Sequence, residues 1–293
     1  MVNSYCILAH KVSNCLIFTV NFLKKFQNNK IFIHVDLKSD LDEFNFLRCD
    51  NVFLIEERFD IKWGHISMVK ATLALLNKVD GDGYCTLLSG DDFPCVDNNE
   101  IYAFFSKLNG RNLLHIQDKR NSFVDPYARY NYIYPKCFFK KDKDFLDKAI
   151  CFFYNKFPFR RNTKGRLYLK NNRVELFKGT QWFSFDKESL DCMLNYLHCH
   201  PEYLNSFEGT YCPDEIFFQT LVILIKLPLY HDDREVNDCL RYVDWNTGPD
   251  FPKILNKEDL KKIKKTKCLF ARKGSNDLSA KDFYKLLGYT DAL

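Results

Sequence analysis

The chain has 293 residues, 46% of them hydrophobic and 16% aromatic, with 28 Phe and 16 Tyr. That is enough to bury one large core or two small ones, and it excludes an intrinsically disordered chain. The 43 Lys and Arg exceed the 38 Asp and Glu by five, a balance that suits anionic small molecules or a membrane surface and falls short of the basic footprint of a nucleic-acid binder.

Tyr5–Ala9 reads as a strand, followed by a helix over Cys15–Phe26 with Leu16, Val20 and Leu23 on one face. Lys30–Val35 and Val52–Ile55 read as buried strands. Ile66, Val69, Leu73 and Leu76 recur at helical spacing and predict a helix over Gly64–Val79. Tyr84–Leu88 is a further strand, running into Ser89-Gly90-Asp91-Asp92-Phe93-Pro94. Strands alternating with helices predict an α/β fold built on a mostly parallel sheet flanked by helices.

Residues 118–175 differ in character. They are crowded with Tyr, Phe, Lys and Arg, and their periodicity is poor apart from a short helix near Asp144–Tyr154. We read them as an aromatic, basic insertion packed as a lid over one end of the sheet. Its Lys148–Arg166 stretch has a second reading as a peripheral contact with an anionic membrane. Regular structure resumes with a strand at Phe177–Phe185 and helices at Lys187–Leu197, Glu215–Ile225 and Asn256–Lys265. No repeat, low-complexity tract or flexible linker interrupts the chain, so the expectation is one domain over residues 1–293 carrying that insertion.

Twelve cysteines are scattered without a CxxC pair, several of them (Cys6, Cys85, Cys151, Cys268) inside apolar runs. Free thiols in a reducing compartment account for this better than a disulfide scaffold, although the even count leaves a bridged, secreted chain open. No charged segment leads into a long apolar one, and no run reaches the length of a membrane span. The expected location is cytoplasmic, with peripheral membrane contact as the variant.

In open α/β sheets ligands sit beyond the carboxyl ends of the strands. His10-Lys11, the Asp36 of His34-Val35-Asp36, and Asp91-Asp92 fall at three such ends. Asp36 can accept hydrogen bonds from a base or ribose, or it can cap the turn that follows. Pro213-Asp214-Glu215 precedes an apolar run from Ile216 to Leu227. It reads either as an ordinary acidic helix start, worth about 0.3–1 kcal/mol per charge, or as the seat of a general base, Glu215, with Asp214 as the cap. Arg272-Lys273, after a short apolar strand, is either a solvated turn or a clamp for a diphosphate, a fork of donors beside a point charge. Base and clamp together point to group transfer away from a phosphorylated leaving group. Trp182, beside Gln181, and Trp245 can each stack on a sugar face or lie in the core. Trp63-Gly64-His65 precedes a helix and reads as its cap region. Asp40-Leu41-Asp42 and Asp80-Gly81-Asp82 have Asp-x-Asp spacing but sit in a loop and before a strand, so neither is counted as a metal site. Asp91-Asp92 is better placed and leaves a metal open.

The ordered set of these segments resembles the core-2/I-branching β-1,6-N-acetylglucosaminyltransferases and the related peptide O-xylosyltransferases, glycosyltransferase family 14. The likeness rests on Ile7–Lys11, Ile33-His34-Val35-Asp36, Trp63-Gly64-His65 and Leu87–Pro94. It continues through Lys178–Phe183, Cys212-Pro213-Asp214-Glu215, Arg241-Tyr242-Val243-Asp244-Trp245 and Leu269–Lys273, with residues 120–175 unmatched. The resemblance implies a GT-A-like fold and an inverting transfer of a sugar, N-acetylglucosamine first, from a UDP-sugar to a glycan or lipid-linked glycan. By that resemblance Glu215 would be the base, Asp36 would lie in the uridine pocket, and Arg272 and Lys273 would bind the donor diphosphate. His10, Trp63 and Asp92 are read from their positions as further donor contacts, and Asp214, Gln181, Trp182 and Trp245 as acceptor or sugar contacts. No metal and no other cofactor are implied, and no nucleic acid. A xylosyl or other UDP-sugar transferase, or a non-catalytic nucleotide- or carbohydrate-binding protein, is the alternative. The expectation is a chain without the anchor, stem and evident bridges of the animal enzymes, and its own insertion falls where their acceptor residues lie, so the acceptor does not transfer.

Overall fold

The computed structural model describes residues 1–289. Its central sheet has six strands in the order β3-β2-β1-β4-β7-β6, and a second sheet has the order β5-β9-β8. The strands are β1 (Asn3–Ala9), β2 (Asn29–Val35), β3 (Val52–Leu54), β4 (Cys85–Ser89), β5 (Phe93–Pro94), β6 (Leu113–Ile116), β7 (Gly179–Phe185), β8 (Arg241–Val243) and β9 (Phe270–Arg272). β1 runs parallel to β2 and β4, and β2 to β3; β7 is antiparallel to both β4 and β6. The expected mostly parallel α/β sheet is therefore present.

Every residue of β1 is buried, as befits a central strand covered on both faces. Side chains alternate across a strand, and the two cores follow that alternation. Tyr5, Ile7 and Ala9 join Ile31, Ile33 and Val35 of β2 under the helix Asn14–Leu23. Phe18 of that helix stacks on Phe283 of the helix Ala280–Leu286 at 4.5 Å. Cys6, Leu8 and Phe32 join the opposite core, with Val69 and Leu75 of the helix Ser67–Leu76 and Phe217 and Leu221 of the helix Phe217–Leu224. The helix Asn14–Leu23 starts where Ser13 accepts a hydrogen bond from the Leu16 N–H, an ordinary N-cap.

Several element ends depart from the sequence expectation. Helix Gly64–Val79 shrinks to Ser67–Leu76 because Gly64 turns at φ +68° and the His65 Nδ1 accepts from the Ser67 N–H. The predicted helix Glu215–Ile225 is broken in two. Pro213–Glu215 form a separate 3₁₀ turn, and Ile216, at φ −127°, precedes the helix Phe217–Leu224. The predicted helix Asn256–Lys265 retains only Leu260–Ile263, since the Asp259 carboxylate accepts from the Asn256 N–H and makes a turn of its start. Residues 118–175 are more helical than their periodicity suggests, with helices at Pro126–Tyr130, Phe145–Lys156 and Thr163–Asn172. Among the described residues no helix is long and apolar enough to cross a membrane.

Candidate active site

The carboxyl ends of β1, β2 and β4 lie side by side, so His10, Asp36 and Asp91 share one sheet edge. That edge borders an open cleft of about 2270 Å³, whose walls also include Glu215 and Arg272. Pockets for one drug-sized ligand run to about 300–1,000 Å³. This cleft has room for two sizeable molecules at once.

Glu215 is placed by a contact distant in sequence. The Cys212 N–H donates to the Gly64 carbonyl at 2.8 Å, and Cys212 adopts a left-handed conformation at φ 48°. A Cβ on Gly64 would meet the Cys212 sulfur at 3.1 Å, so the Trp63-Gly64-His65 turn and the Cys212–Glu215 turn fit only through that glycine. Two cations then hold the Glu215 carboxylate. Arg129 Nη1 and Lys178 Nζ, the latter at 3.0 Å, both contact Oε2, and among the described residues Oε1 accepts no hydrogen bond. Asp214 beside it does not cap the following helix as the sequence suggested. It is buried, its Oδ1 has no partner, and burial together with the Glu215 charge pushes its carboxyl up to about 7. Lys178 opens a segment that Gly179 makes possible, since a Cβ there would stand 1.7 Å from the His115 carbonyl oxygen.

The cationic corner is built on the small sheet. β5 begins directly after Asp92 and pairs antiparallel with β9, whose last residue is Arg272. Asp92 is 0% exposed and does not face the cleft. Its Oδ2 accepts from Arg241 Nη1 at 3.0 Å, its Oδ1 accepts from Ser89 Oγ at 2.6 Å, and Arg272 Nε lies 3.8 Å from Oδ1. The expectation that Asp92 touches a donor is therefore corrected: it is the buried counter-ion of two arginines. Trp182 is largely buried but lines the cleft, and Arg272 lies over its ring at 4.1 Å and Arg241 at 5.5 Å, so the indole carries two guanidiniums. Lys273 and Lys11 flank Asp91 at 3.6 and 3.9 Å. His10 sits among them, its pKa lowered chiefly by burial.

At the end of β2 Asp36 accepts from Lys38 through both its backbone N–H and its ammonium. Arg58 fixes this turn by donating to the carbonyls of Val35, Asp36 and Ser39. His34 beneath is fully buried, its Nε2 accepts from the Phe59 N–H, and burial lowers its pKa to about 4. Trp63 and Trp245 are exposed on the cleft wall, Trp63 resting edge-on against Tyr211. Gln181 also lines the cleft and has a buried, unpartnered Nε2.

Among the described residues His115, Asp118 and Asp238 form the cluster nearest to metal-ligand geometry. Arg120 occupies it, donating to Asp118 at 2.6 Å and to Asp238 at 2.7 Å, so a guanidinium already holds the place of a cation. The two Asp-x-Asp segments are spent on local ties: Asp80 pairs with Lys30, and Asp40 accepts from the Asp42 N–H. All twelve cysteines are free, with Cys6, Cys85 and Cys268 fully buried.

Sequence reasoning missed Arg129, Lys38 and Arg58. Arg129 lies in the segment read as an insertion, and nothing in its neighbours marks it; Lys38 and Arg58 carried a weak signal, as cations following strand ends. The roles of Lys178 and Arg241, both inside quoted motifs, emerge only with their partners.

The chain is similar to zebrafish (Danio rerio) beta-1,3-galactosyl-O-glycosyl-glycoprotein beta-1,6-N-acetylglucosaminyltransferase 4, 27% identical over 228 residues, covering 73% of this chain and 49% of that protein. The mouse (Mus musculus) protein of the same name is 24% identical over 235 residues, covering 75% and 48%. The chain thus spans about half the length of the curated relatives it matches. A solved Bacillus anthracis structure described as a glucose-1-phosphate thymidylyltransferase aligns at a TM-score of 0.34 and 14% identity, over 66% of this chain and 74% of that one; so low a score bears on nothing further. A family model described as Core-2/I-Branching enzyme matches residues 4–267, nearly the whole of the chain, and the protein belongs to that family.

Proposed function

We propose that the chain is an inverting glycosyltransferase of GT-A-like fold that moves a sugar from a UDP-sugar to a glycan hydroxyl without a metal. N-acetylglucosamine is the favoured sugar, since both relatives are named for its transfer. The observation that carries this reading is one carboxylate and one cation corner in the same cleft. Arg129 and Lys178 fix Glu215 through Oε2 and leave Oε1 for an acceptor hydroxyl. Arg272 and Lys273 stand in the same cleft with a buried aspartate behind them.

In the reaction, the acceptor oxygen bonds to the anomeric carbon as Glu215 takes its proton. The bond from that carbon to the diphosphate oxygen breaks on the opposite face, and UDP leaves with the electron pair. Base catalysis of this kind contributes about 10²–10⁴-fold. Arg272 and Lys273 balance the charge growing on the diphosphate, the task a metal performs elsewhere. Asp92 is withdrawn against Arg241 with both oxygens engaged, and Asp91, which lines the cleft, is flanked by Lys11 and Lys273; both facts support a metal-free site. The unpartnered Nε2 of Gln181 supports a bound polar ligand, since buried donors are ordinarily satisfied. Twelve free thiols support a cytoplasmic location.

Thermal shift with UDP and a panel of UDP-sugars in EDTA tests the reading. A ligand at a hundred times its dissociation constant stabilises by about 2.7 kcal/mol, so UDP and one UDP-sugar should raise the melting temperature clearly. Silence toward every uridine nucleotide would overturn the proposal. Glu215→Gln should abolish transfer and leave UDP affinity unchanged; parallel loss of UDP binding would make Glu215 structural.

A further inference from the structure

The helix Phe145–Lys156 is oriented against the usual rule. An amphipathic helix on a soluble protein turns its apolar stripe inward. Here the inward row is Asp147, Cys151 and Tyr154, at i, i+4 and i+7. Each has a specific tie: Asp147 takes Lys140 at 2.9 Å, the Cys151 sulfur lies 3.8 Å from that of Cys137, and the Tyr154 hydroxyl donates to the Ile133 carbonyl at 2.6 Å. A capping box joins Asp144 and Asp147 at the helix start. The orientation is thus fixed by these ties together with the packing of Cys151 and Tyr154 against Phe138 and Tyr134, and the apolar row Leu146, Ile150, Phe153 and Phe157 faces solvent. Phe145 (88% exposed) and Phe152 flank the row, and Phe159 (75% exposed) extends it. Contiguous apolar surface on this scale marks an interaction site.

Charge identifies the partner. Residues 136–173 hold twelve Lys and Arg against three Asp, whereas the rest of the chain holds 31 Lys and Arg against 35 Asp and Glu. The protein's excess positive charge therefore lies in this one segment. Among the described residues Lys148, Lys156, Arg160, Lys164 and Arg166 pair with no carboxylate, and Lys156 lies over the Phe152 ring at 4.6 Å, its stem on the apolar face and its charge at the rim. Exposed phenylalanines rimmed by unpaired cations on a short helix match the chemistry of an interfacial helix.

We infer that the Phe145–Phe159 face docks on an anionic lipid bilayer, the phenylalanines entering the acyl boundary and the lysines and arginines meeting the headgroups. Lys140 and Arg160 of the same segment also line the cleft, so docking sets the cleft mouth beside the headgroups. On the transferase reading this favours an acceptor presented by the membrane, but the docking itself needs no donor, acceptor or turnover.

Flotation of the full chain with vesicles tests the inference apart from catalysis. The probes are phosphatidylcholine alone and phosphatidylcholine mixed with phosphatidylglycerol. The chain should float with the mixed vesicles only and be released by high salt, since each cation near such a surface contributes about 1 kcal/mol. Lys148→Gln, Lys156→Gln and Lys164→Gln should each weaken binding about fivefold, the same figure as a ratio. Phe152→Ser/Phe153→Ser should weaken it about tenfold or more; both side chains are exposed, and an unchanged melting temperature will show that the fold is retained. Protein left at the bottom with every vesicle overturns the inference, and so does equal flotation on phosphatidylcholine alone. Sedimentation showing a dimer that the double Phe variant disperses would also overturn it, by assigning the face to a second copy of the chain.

Discussion

Asp92→Asn removes the one negative charge that Arg241 and Arg272 share. Asp92 is fully buried and Arg241 is 1% exposed, so neither can turn to water. At an effective dielectric constant of about 20, unit charges at the Arg241–Asp92 distance of 3.0 Å attract by about 5.5 kcal/mol, and at the Arg272 distance of 3.8 Å by about 4.4 kcal/mol. Those gross terms are offset by desolvation, and breaking one buried pair costs about 3–5 kcal/mol net. Asp92→Asn leaves the Arg241 guanidinium without a counter-ion, with only the Leu87 carbonyl still accepting from it, and loosens Arg272, which puts it at about 4–5 kcal/mol. Arg241→Met leaves Asp92 with Arg272 and the Ser89 hydroxyl, so about 3 kcal/mol is expected. The double variant should cost clearly less than the sum, because a buried pair replaced as a unit leaves no orphan charge. Urea unfolding at a slope of about 3 kcal/mol/M would move the Asp92→Asn midpoint down by more than about 1 M. A midpoint close to that of the parent, or a larger loss in Arg241→Met than in Asp92→Asn, would refute the shared-counter-ion account. So would strict additivity in the double variant.

Two further outcomes follow from single positions. Asp214, pushed up to about 7 by burial and by Glu215, holds a proton in the folded chain that the unfolded chain has already lost above roughly pH 4. Its contribution is therefore present at low pH and lost as pH rises from about 4 to about 7; the stability of Asp214→Asn relative to the parent should climb across that window, and a flat difference in urea titrations would count against the buried neutral carboxyl. Gly179→Ala would drive a Cβ into the His115 carbonyl, a backbone atom that cannot step aside. A loss of about 2 kcal/mol or more is expected from overpacking, and a melting temperature within a degree or so of the parent would show that β6 and β7 separate without cost.

How much of this was legible in the chain depends on the range of the interaction that decides it. β1, β2 and β4 could be read because their apolar runs are local signals and their cores follow simple alternation. The clustering of His10, Asp36 and Asp91 follows from the rule that ligands meet strand ends, which needs only the strands. The break after Glu215 could not be read, because it is set by the Cys212 N–H reaching Gly64, and no local propensity reports that bond. Asp92 presents the same difficulty in a sharper form. Its neighbours mark it as a strand-end acid open to a ligand, and only Arg241, 149 residues away, converts it to a buried counter-ion. Trp182 follows from the same event, since the two arginines that Asp92 holds are the ones that cover its ring.

The insertion inverts this relation between pattern and burial. A helix near Asp144–Tyr154 was legible from periodicity, but periodicity says only that one stripe is apolar, not which side the protein lies on. The side is set by Lys140 on Asp147, by the Tyr154 hydroxyl on Ile133 and by the Tyr154 ring on Phe138 and Tyr134, and these draw the row Asp147, Cys151 and Tyr154 inward. A protein that turns Asp147, Cys151 and Tyr154 of a helix inward and leaves its phenylalanines outside gives up burial that those phenylalanines could have supplied. That loss is recovered only if another apolar phase covers the outer face. Lys148 and Lys156 on the same helix, neither paired with a carboxylate among the described residues, say what charge the covering phase carries.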